Sequence, residues 1–319
     1  MDERTAVCVL GMHRSGTSLI TRILNLLGVD LGAEERLLEA GPDNPLGFWE
    51  HHEIVQLNEE ILALLGGSWH EPPALDPGWE RSPALSGLRG AALEVIRREF
   101  GRSDLWGWKD PRTCLTLPFW QLLVPGMRYV LCLRNPVDVA RSLGRRDGFT
   151  VEKAGRLWVD HVERSVRRTA GEDRLILFYE DVMSDWPGAL ARLSGFLGEH
   201  EAAGFEHLRT AVWEVVREDL QHHRSSTLDV VDDPELPDSA KALHLVLRAH
   251  VPGAEGSSDV RSEALAALRP AVKTFAASSR SARHAVHAAE AALASPSSSL
   301  SLKGSGPDGT VATAVRPDP

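Results

Sequence analysis

The stretch at residues 7–20 limits what this chain can fold into more than any other, and it reads Val-Cys-Val-Leu-Gly-Met-His-Arg-Ser-Gly-Thr-Ser-Leu-Ile. Its first four residues are apolar, two of them valines, a pattern typical of a buried parallel strand. Gly11 ends this run, and from Thr17 onwards leucine and isoleucine recur at helical spacing. A strand, a glycine-bounded loop and a helix in this order aim free backbone N–H groups and a helix dipole at an anion. The sequence therefore predicts a phosphate or sulfate site in the loop.

This loop departs from nucleoside-triphosphate binding loops at one informative position. Their pattern is G-x-x-x-x-G-K-[ST]. Gly11, Gly16 and Ser18 fit it, but Thr17 stands where the lysine belongs. That lysine reaches the terminal phosphates of ATP or GTP, whose charge also requires magnesium. Arg14 supplies a cation inside the loop, which favours a less highly charged anion.

A second segment carries a related pattern. Residues 128–133, Arg-Tyr-Val-Leu-Cys-Leu, predict another buried strand, which Arg134 follows directly and Ser142 follows eight positions later. The two segments together resemble sulfotransferases that use 3′-phosphoadenylyl sulfate (PAPS). In that family an arginine at a strand end and a serine eight positions on hold the 3′-phosphate, which implies this role for Arg134 and Ser142.

The same resemblance implies a role for the first loop. It covers roughly the first 200 residues of the chain. In the family this loop binds the 5′-phosphosulfate of the donor. The resemblance therefore implies donor binding by His13, Arg14, Ser15, Gly16, Thr17 and Ser18.

Similar sulfotransferases also place an acidic residue where the acceptor enters, and Glu50 is the candidate general base. Transfer to a hydroxyl needs a group that takes the hydroxyl proton, and a carboxylate desolvated by Phe48 and Trp49 would have a raised pKa suited to this. The alternative is that Glu50 begins a helix and complements its dipole. His51 and His52 are weaker alternatives for the base.

Lys109 matches the family lysine that neutralises charge on the moving sulfuryl group, and Arg14 would share this task. Family members with small-molecule acceptors often carry Lys-Thr-His here, whereas this chain has Lys109-Asp110-Pro111. Because this histidine is missing, a mechanism with a histidine as general base is in doubt, and Glu50 is favoured as the base. We interpret Asp110 as structural.

Two further segments offer candidate contacts. In many family members a later Arg-Lys-Gly segment contacts the 3′-phosphate and adenine. This chain lacks that segment, and Arg224 in Leu-Gln-His-His-Arg is the candidate substitute. Residues 68–88 predict a loop over the site. Its Trp69 and Trp79 either contact an acceptor or cover a core edge.

Composition excludes several classes of function. The 319 residues are 43% hydrophobic and 25% charged, as in ordinary globular proteins, and the net charge of −10 argues against a broad nucleic-acid surface. Cys8, Cys114 and Cys132 show no disulfide or metal spacing, so we interpret them as buried thiols. Neither a signal peptide nor an apolar run of membrane-spanning length is visible. We expect a cytoplasmic protein with no metal, no nucleic-acid partner and no membrane span.

The alternation of strands and helices predicts a single α/β fold. The resemblance implies a three-layer sandwich with a mostly parallel central sheet, a P-loop-like phosphosulfate loop and a helical C-terminal appendage. The predicted divisions are 1–224 for the α/β domain, 225–294 for a helical region and 295–319 for a tail. The tail is rich in serine, glycine and proline, and we expect it to be disordered.

The expected function is direct in-line transfer of a sulfuryl group from PAPS to a hydroxyl or amine of a carbohydrate or small-molecule acceptor, leaving adenosine 3′,5′-bisphosphate (PAP). Two alternatives remain open. One is a P-loop kinase or other nucleotide phosphotransferase, and the other is a non-catalytic nucleotide-binding module of the same fold. The sequence predicts neither the acceptor nor the oligomeric state.

Overall fold

The computed structural model describes residues 4–41, 44, 47–198, 205–216, 225–251, 270–278 and 280–295. The candidate Arg224 and the predicted tail from residue 296 onwards lie outside these residues.

Among the described residues, four largely apolar strands form an entirely parallel sheet. They are β1 (Thr5–Leu10), β2 (Leu105–Lys109), β3 (Arg128–Leu133) and β4 (Arg174–Phe178), in the spatial order β2-β1-β3-β4. The chain passes from β1 to β2 on one side and then to β3 on the other, so the strand order reverses at β1. Ligands of open α/β sheets bind beyond the carboxyl ends of the strands at such a point.

The helices follow the strands in chain order. They are α1 (Thr17–Leu26), α2 (His52–Leu64), α3 (Ser86–Phe100), α4 (Thr113–Leu123), α5 (Pro136–Asp147), α6 (Val151–Arg168), α7 (Tyr179–Ser184), α8 (Trp186–Leu197), α9 (Phe205–Val215), α10 (Thr227–Asp232), α11 (Asp238–His250) and α12 (Arg280–Ala294). Residues 270–278 are helical as well, and three short 3-10 turns lie at Glu34–Arg36, Trp79–Arg81 and Pro83–Leu85.

Apolar side chains cover both faces of the sheet. Cys8 and Leu10 of β1 point into a core shared with α2 to α6, whereas Val7 and Val9 point into a second core with α1, α8 and α9. Two buried faces explain why the strands are continuously apolar instead of alternating. The three-layer α/β class predicted from the sequence is confirmed.

The sequence of residues 174–181, Arg-Leu-Ile-Leu-Phe-Tyr-Glu-Asp, predicts a further buried strand, but its extension through Asp181 is wrong. The strand ends at Phe178, and Tyr179 begins α7. The side chains of Glu180 and Asp181 both pair with Arg248 of α11. Consecutive side chains of a strand point to opposite faces, so a helical turn is needed to bring both carboxylates to one guanidinium.

The burial predicted for the cysteines agrees with the structure. All three cysteines are buried and free. Trp79 is 8% exposed and belongs to the apolar core, which favours the core alternative for this residue. No helix in the described part of the chain has the length and apolar character needed to cross a membrane.

The C-terminal helices pack on the α/β layers. Contacts join α11 and α12 to each other and both to α6. Leu243, Leu247 and Ala289 belong to the same apolar cluster as Cys8 and Leu10. Within the region at 225–294 that was predicted to be helical, the helices at 238–250, 270–278 and 280–294 contribute to the main core.

Replacing His244 of α11 by leucine should make stability less dependent on pH. The ring is buried beside Trp158 and Phe178, neither ring nitrogen has a hydrogen-bond partner among the described residues, and burial lowers the pKa to about 3, with the Arg248 charge contributing. An unfolded histidine titrates near pH 6.5. The unfolded state therefore takes up a proton that the folded state refuses, and stability is lost as pH falls below that value.

We expect His244→Leu to remove about 2 kcal/mol of the acid destabilisation between about pH 7 and about pH 5. Urea unfolding of both proteins at the two pH values measures this difference. An unchanged pH dependence would contradict the burial of a neutral imidazole.

Candidate active site

A cavity of about 760 Å³ lies at the carboxyl edge of the sheet, beyond the ends of β1, β2 and β3. Most of the residues singled out in the sequence line it. They are His13, Arg14, Gly16, Thr17, Ser18, Glu50, Lys109, Arg134 and Ser142. Ser15 does not line the cavity; its side chain is fully buried behind the loop, and its carbonyl accepts a hydrogen bond from the Cys132 thiol at 2.9 Å. Arg224 lies outside the described residues.

Gly16 sets the geometry of the loop between β1 and α1. It caps α1 with a left-handed φ of 82°, and the first N–H groups of α1 therefore face the cavity without helical partners. A Cβ on Gly16 would lie 2.2 Å from Cδ2 of Tyr179. Glycine is required here both for its backbone conformation and because the tyrosine ring packs directly against the loop.

Gly16→Ala should therefore destabilise the protein more than an equally left-handed glycine does elsewhere. Gly28 is the matched control, because its φ is 92° but nothing lies within 4 Å of the position of a Cβ. We expect about 1–2 kcal/mol of backbone strain in both variants and an additional loss from the tyrosine clash at Gly16 alone. Denaturant unfolding gives both values, and equal losses would contradict the close contact with Tyr179.

Arg14 connects the loop to the second predicted anion site. It has a left-handed φ of 68°, unusual for a non-glycine residue and typical of functional sites. Its Nε donates to Ser142 Oγ at 2.9 Å, and its carbonyl accepts from Nη1 of Arg134 at 3.0 Å. The loop after β1 and the turn after β3 therefore form one surface.

Arg134 is held in place by neighbouring groups, but one of its N–H donors has no hydrogen-bond acceptor among the described residues. Its guanidinium stacks on the Tyr179 ring at 4.6 Å, and its buried Nε has no hydrogen-bond partner among the described residues. A charged donor of this kind, beside the Ser142 hydroxyl, suits a phosphate. Tyr179 was not predicted as a site residue. Its signal in the sequence is its position directly after β4, equivalent to that of Arg134 after β3.

Glu50 and Lys109 form a buried ion pair that lines the same cavity beside Ser18. Lys109 ends β2, and its Nζ lies 2.5 Å from Glu50 Oε1 and 3.2 Å from Ser18 Oγ. The two side chains are only 8% and 1% exposed. Burial raises the pKa of Glu50, and the Asp110 charge adds to this, while the Lys109 ammonium and Arg112 oppose it. The net direction is upward, which suits a group that accepts a proton.

Ser18 ties the segment before Glu50 to α1. The Ser18 hydroxyl donates to the Phe48 carbonyl at 3.1 Å and accepts from Asn44 Nδ2 at 3.1 Å. Trp49 has a left-handed φ of 57° and carries the guanidinium of Arg22 over its ring at 4.6 Å. This strained turn directs Glu50 into the cavity.

The histidine alternatives to Glu50 lie away from the cavity. His51 is buried against Phe100, with its Nε2 3.7 Å from Glu99, and His52 is exposed. Neither lines the cavity. The geometry therefore leaves Glu50 as the acidic group facing the loop.

Asp110 and Arg112 form a hydrogen-bonded network directly after Lys109. Asp110 is fully buried and accepts hydrogen bonds from the Arg112 backbone N–H at 3.1 Å and from Asn58 Nδ2 at 2.8 Å. The Arg112 guanidinium also pairs with Asp110 and Glu59, both at 2.9 Å. These contacts agree with the structural interpretation of Asp110.

Trp69 packs against the edge of the cavity, unlike Trp79. Its ring lies 4.2 Å from that of His13 and carries Arg146 at 5.5 Å. Burial and the Arg112 charge lower the pKa of His13 well below its usual value, so the imidazole is neutral. Arg22, Arg145 and Arg146 also line the cavity, and no local pattern distinguishes them from solvated arginines.

A model of the sulfotransferase family matches residues 6–202, more than half of the chain. The chain belongs to the sulfotransferase family. The matched region contains the loop, the Glu50–Lys109 pair and the Arg134 turn, and the resemblance recognised in the sequence is confirmed.

The sulfotransferase is also similar to solved structures at low identity. Sulfotransferase STF1 from Mycobacterium tuberculosis H37Rv is 16% identical with a TM-score of 0.40, over 66% of this chain and 75% of that one. The sulfotransferase domain of the Synechococcus PCC 7002 olefin synthase is 17% identical with a TM-score of 0.40, over 85% and 96%. Retinol dehydratase in complex with androsterone and the inactive cofactor PAP is 17% identical with a TM-score of 0.34, over 68% and 66%. No curated protein matches the sequence.

Proposed function

We propose that this sulfotransferase transfers a sulfuryl group from PAPS to a hydroxyl or amine of a carbohydrate or small-molecule acceptor. The observation that carries the proposal is the link made by Arg14, which lies in the loop and contacts Ser142. Two anion-binding groups thereby face one cavity, as a donor with a 5′-phosphosulfate and a 3′-phosphate requires. The Glu50–Lys109 pair stands beside them.

The residues present fit this donor. The N-terminus of α1 and residues 13–18 would hold the 5′-phosphosulfate through backbone N–H groups and the Arg14 charge. Arg134 and Ser142 would hold the 3′-phosphate, and the Arg134 Nε, which has no hydrogen-bond partner in the described part of the chain, supports this assignment. Bound PAPS supplies an activated sulfuryl group whose leaving group is a phosphate.

Glu50 would take the proton of the acceptor hydroxyl as the new S–O bond forms and the bond from sulfur to the phosphate oxygen breaks. Its raised pKa favours the uptake of this proton. Lys109 and Arg14 would stabilise the charge on the transferring group and on the departing oxygen of PAP. Alignment of donor, sulfur and acceptor in one cavity would supply much of the rate. Fixed cations would take the part that magnesium plays in triphosphate sites.

Calorimetric titration with PAP, compared with ATP plus magnesium, tests the proposal. We expect PAP to bind without added metal and more tightly than ATP with magnesium. Transfer of radiolabelled sulfate from PAPS to a panel of sugars, phenols and amines would then identify the acceptor. A preference for ATP with magnesium would favour a phosphotransferase, and PAP binding without any transfer would favour a non-catalytic module.

A further inference from the structure

The turn between Arg134 and Ser142 depends on the residue between β3 and α5. Asn135 follows Arg134 directly and caps α5, since its Oδ1 accepts the Val137 N–H at 2.9 Å. Arg134 precedes this cap and Ser142 lies two turns into the helix. The position of Asn135 therefore sets how the guanidinium and the hydroxyl are arranged relative to each other.

A residue from far along the chain is clamped onto this turn. Ser225 accepts a hydrogen bond from Asn135 Nδ2 at its carbonyl, at 2.9 Å. Its hydroxyl donates to the buried Asp138 carboxylate at 2.6 Å, and its N–H donates to the same group at 3.2 Å. Arg141 Nη1 donates to Ser225 Oγ at 2.9 Å. One serine thus satisfies a buried carboxylate and fixes the first turn of α5.

A second contact reaches Asn135 from α11. Arg248 donates to Asp181 at 2.7 Å and to Glu180 Oε2 at 3.2 Å, and it stacks over Phe178 at 3.8 Å. Glu180 Oε1 in turn accepts the Asn135 backbone N–H at 2.7 Å. The side chain of Asn135 is therefore held by Ser225 and its backbone by Arg248 acting through Glu180.

We propose that Ser225 and Arg248 are positioning residues for recognition of the 3′-phosphate. Both lie beyond residue 202, where the match to the family model ends. The inference rests on the proposed function, because it assumes that Arg134 and Ser142 bind this phosphate. Two independent contacts meet at Asn135, and they keep Arg134 and Ser142 in one arrangement before the donor arrives. This arrangement lowers the free-energy cost of ordering the two side chains on binding.

The test compares PAP with adenosine 5′-phosphate (AMP) by calorimetry, because the ratio of the two affinities isolates the 3′-phosphate. We expect Ser225→Ala and Arg248→Gln each to reduce this ratio by about five- to tenfold, while AMP affinity stays within about twofold. Ser225→Thr keeps the hydroxyl and should restore much of the ratio.

Ser226→Ala is the matched control. This neighbouring serine caps α10 through its hydroxyl, which accepts the Asp229 N–H at 3.2 Å and donates to the Asp229 carboxylate at 2.8 Å. Its backbone carbonyl also accepts from Asn135 Nδ2 at 3.2 Å, and alanine keeps this carbonyl. The ratio should not change in this variant. Thermal unfolding of every variant reports any general loss of stability.

The outcomes separate the inference from the proposed function. A wild-type protein that does not distinguish PAP from AMP overturns the 3′-phosphate assignment itself. A wild-type preference that survives in both variants overturns the positioning role, and so does an equal loss of PAP and AMP affinity, which is the mark of a structural role. If Ser225→Ala does not fold, Arg248→Gln tests the same point from the partly exposed side of the clamp.

Discussion

Glu50→Gln is expected to slow sulfuryl transfer by about 10²–10⁴-fold, the usual contribution of a positioned general base. Glutamine keeps the shape of the side chain, and its carbonyl can still accept from Lys109 Nζ, but it cannot take the acceptor proton. PAP affinity should stay within about twofold, because the proposed donor contacts lie on Arg14, Arg134 and Ser142. Single-turnover transfer from radiolabelled PAPS, with the acceptor that the panel identifies, measures the change.

Glu59→Gln is the matched control for this prediction. Glu59 pairs with Arg112 at 2.9 Å and is 58% exposed, and it does not line the cavity. This variant removes one nearby carboxylate and keeps the Glu50–Lys109 ion pair, and it reports the effect of the local field because Arg112 also lies 3.8 Å from Glu50 Oε2. Equal losses in both variants would show that the local field, not proton transfer, accounts for the effect. Full activity of Glu50→Gln would move the base to another residue.

The rate should also report the titration of Glu50. Its carboxylate is the active form, and burial, the largest cause, raises the pKa of Glu50 although the Lys109 ammonium opposes this. Activity should therefore fall on acidification at a higher pH than an exposed glutamate would titrate. This acid limb should be absent from the residual activity of Glu50→Gln. If the fall in activity at low pH persists unchanged in Glu50→Gln, it reports the titration of another group.

Arg134→Ala should weaken PAP binding by about 1.5–3 kcal/mol, roughly ten- to 150-fold, the contribution of a charge-assisted phosphate contact. The variant also removes the hydrogen bond to the Arg14 carbonyl and the stacking on Tyr179. AMP is titrated in parallel for this reason. A loss confined to PAP belongs to the 3′-phosphate, whereas a loss shared by AMP reflects the loosened loop.

Arg128→Ala removes the same charge from the opposite end of β3. Arg128 pairs with Asp173 at 2.6 Å and stacks on Phe196 at 4.4 Å, away from the cavity. PAP affinity should stay within about twofold in this control. Unchanged PAP affinity in Arg134→Ala would overturn the assignment of Arg134 to the 3′-phosphate.

The patterns around the loop predicted the local structure correctly for a physical reason. The apolar run at 7–10 lies in β1 (Thr5–Leu10), and the run at 128–133 is a strand with those bounds, because continuous valine and leucine suit a sheet that is buried on both faces. Gly11 and Gly16 bound the predicted loop, and the helix follows at Thr17. The sequence of residues 174–181 did not show where β4 ends, because Glu180 and Asp181 lie in α7 and pair with Arg248, a residue far along the chain.

The residues of the site also fall into those that the sequence could place and those that it could not. Arg14, Lys109 and Arg134 could be placed from sequence because each lies next to the end of a strand, where a parallel sheet gathers its loops. Their roles in catalysis and donor binding stay predictions that the experiments above test. The packing of Tyr179 on the loop and the burial of His51 away from the cavity were not visible in any local pattern.

The sequence by itself determined the strand–loop–helix unit, the parallel sheet class and the family, because these depend on residues that are neighbours along the chain. Only the tertiary structure decided that Glu50 meets Lys109 at 2.5 Å and that Ser225 closes on Asp138 at 2.6 Å. These pairs are 59 and 87 positions apart. Such contacts depend on how whole layers pack, and buried charges and hydroxyls find their partners only when the core places them side by side.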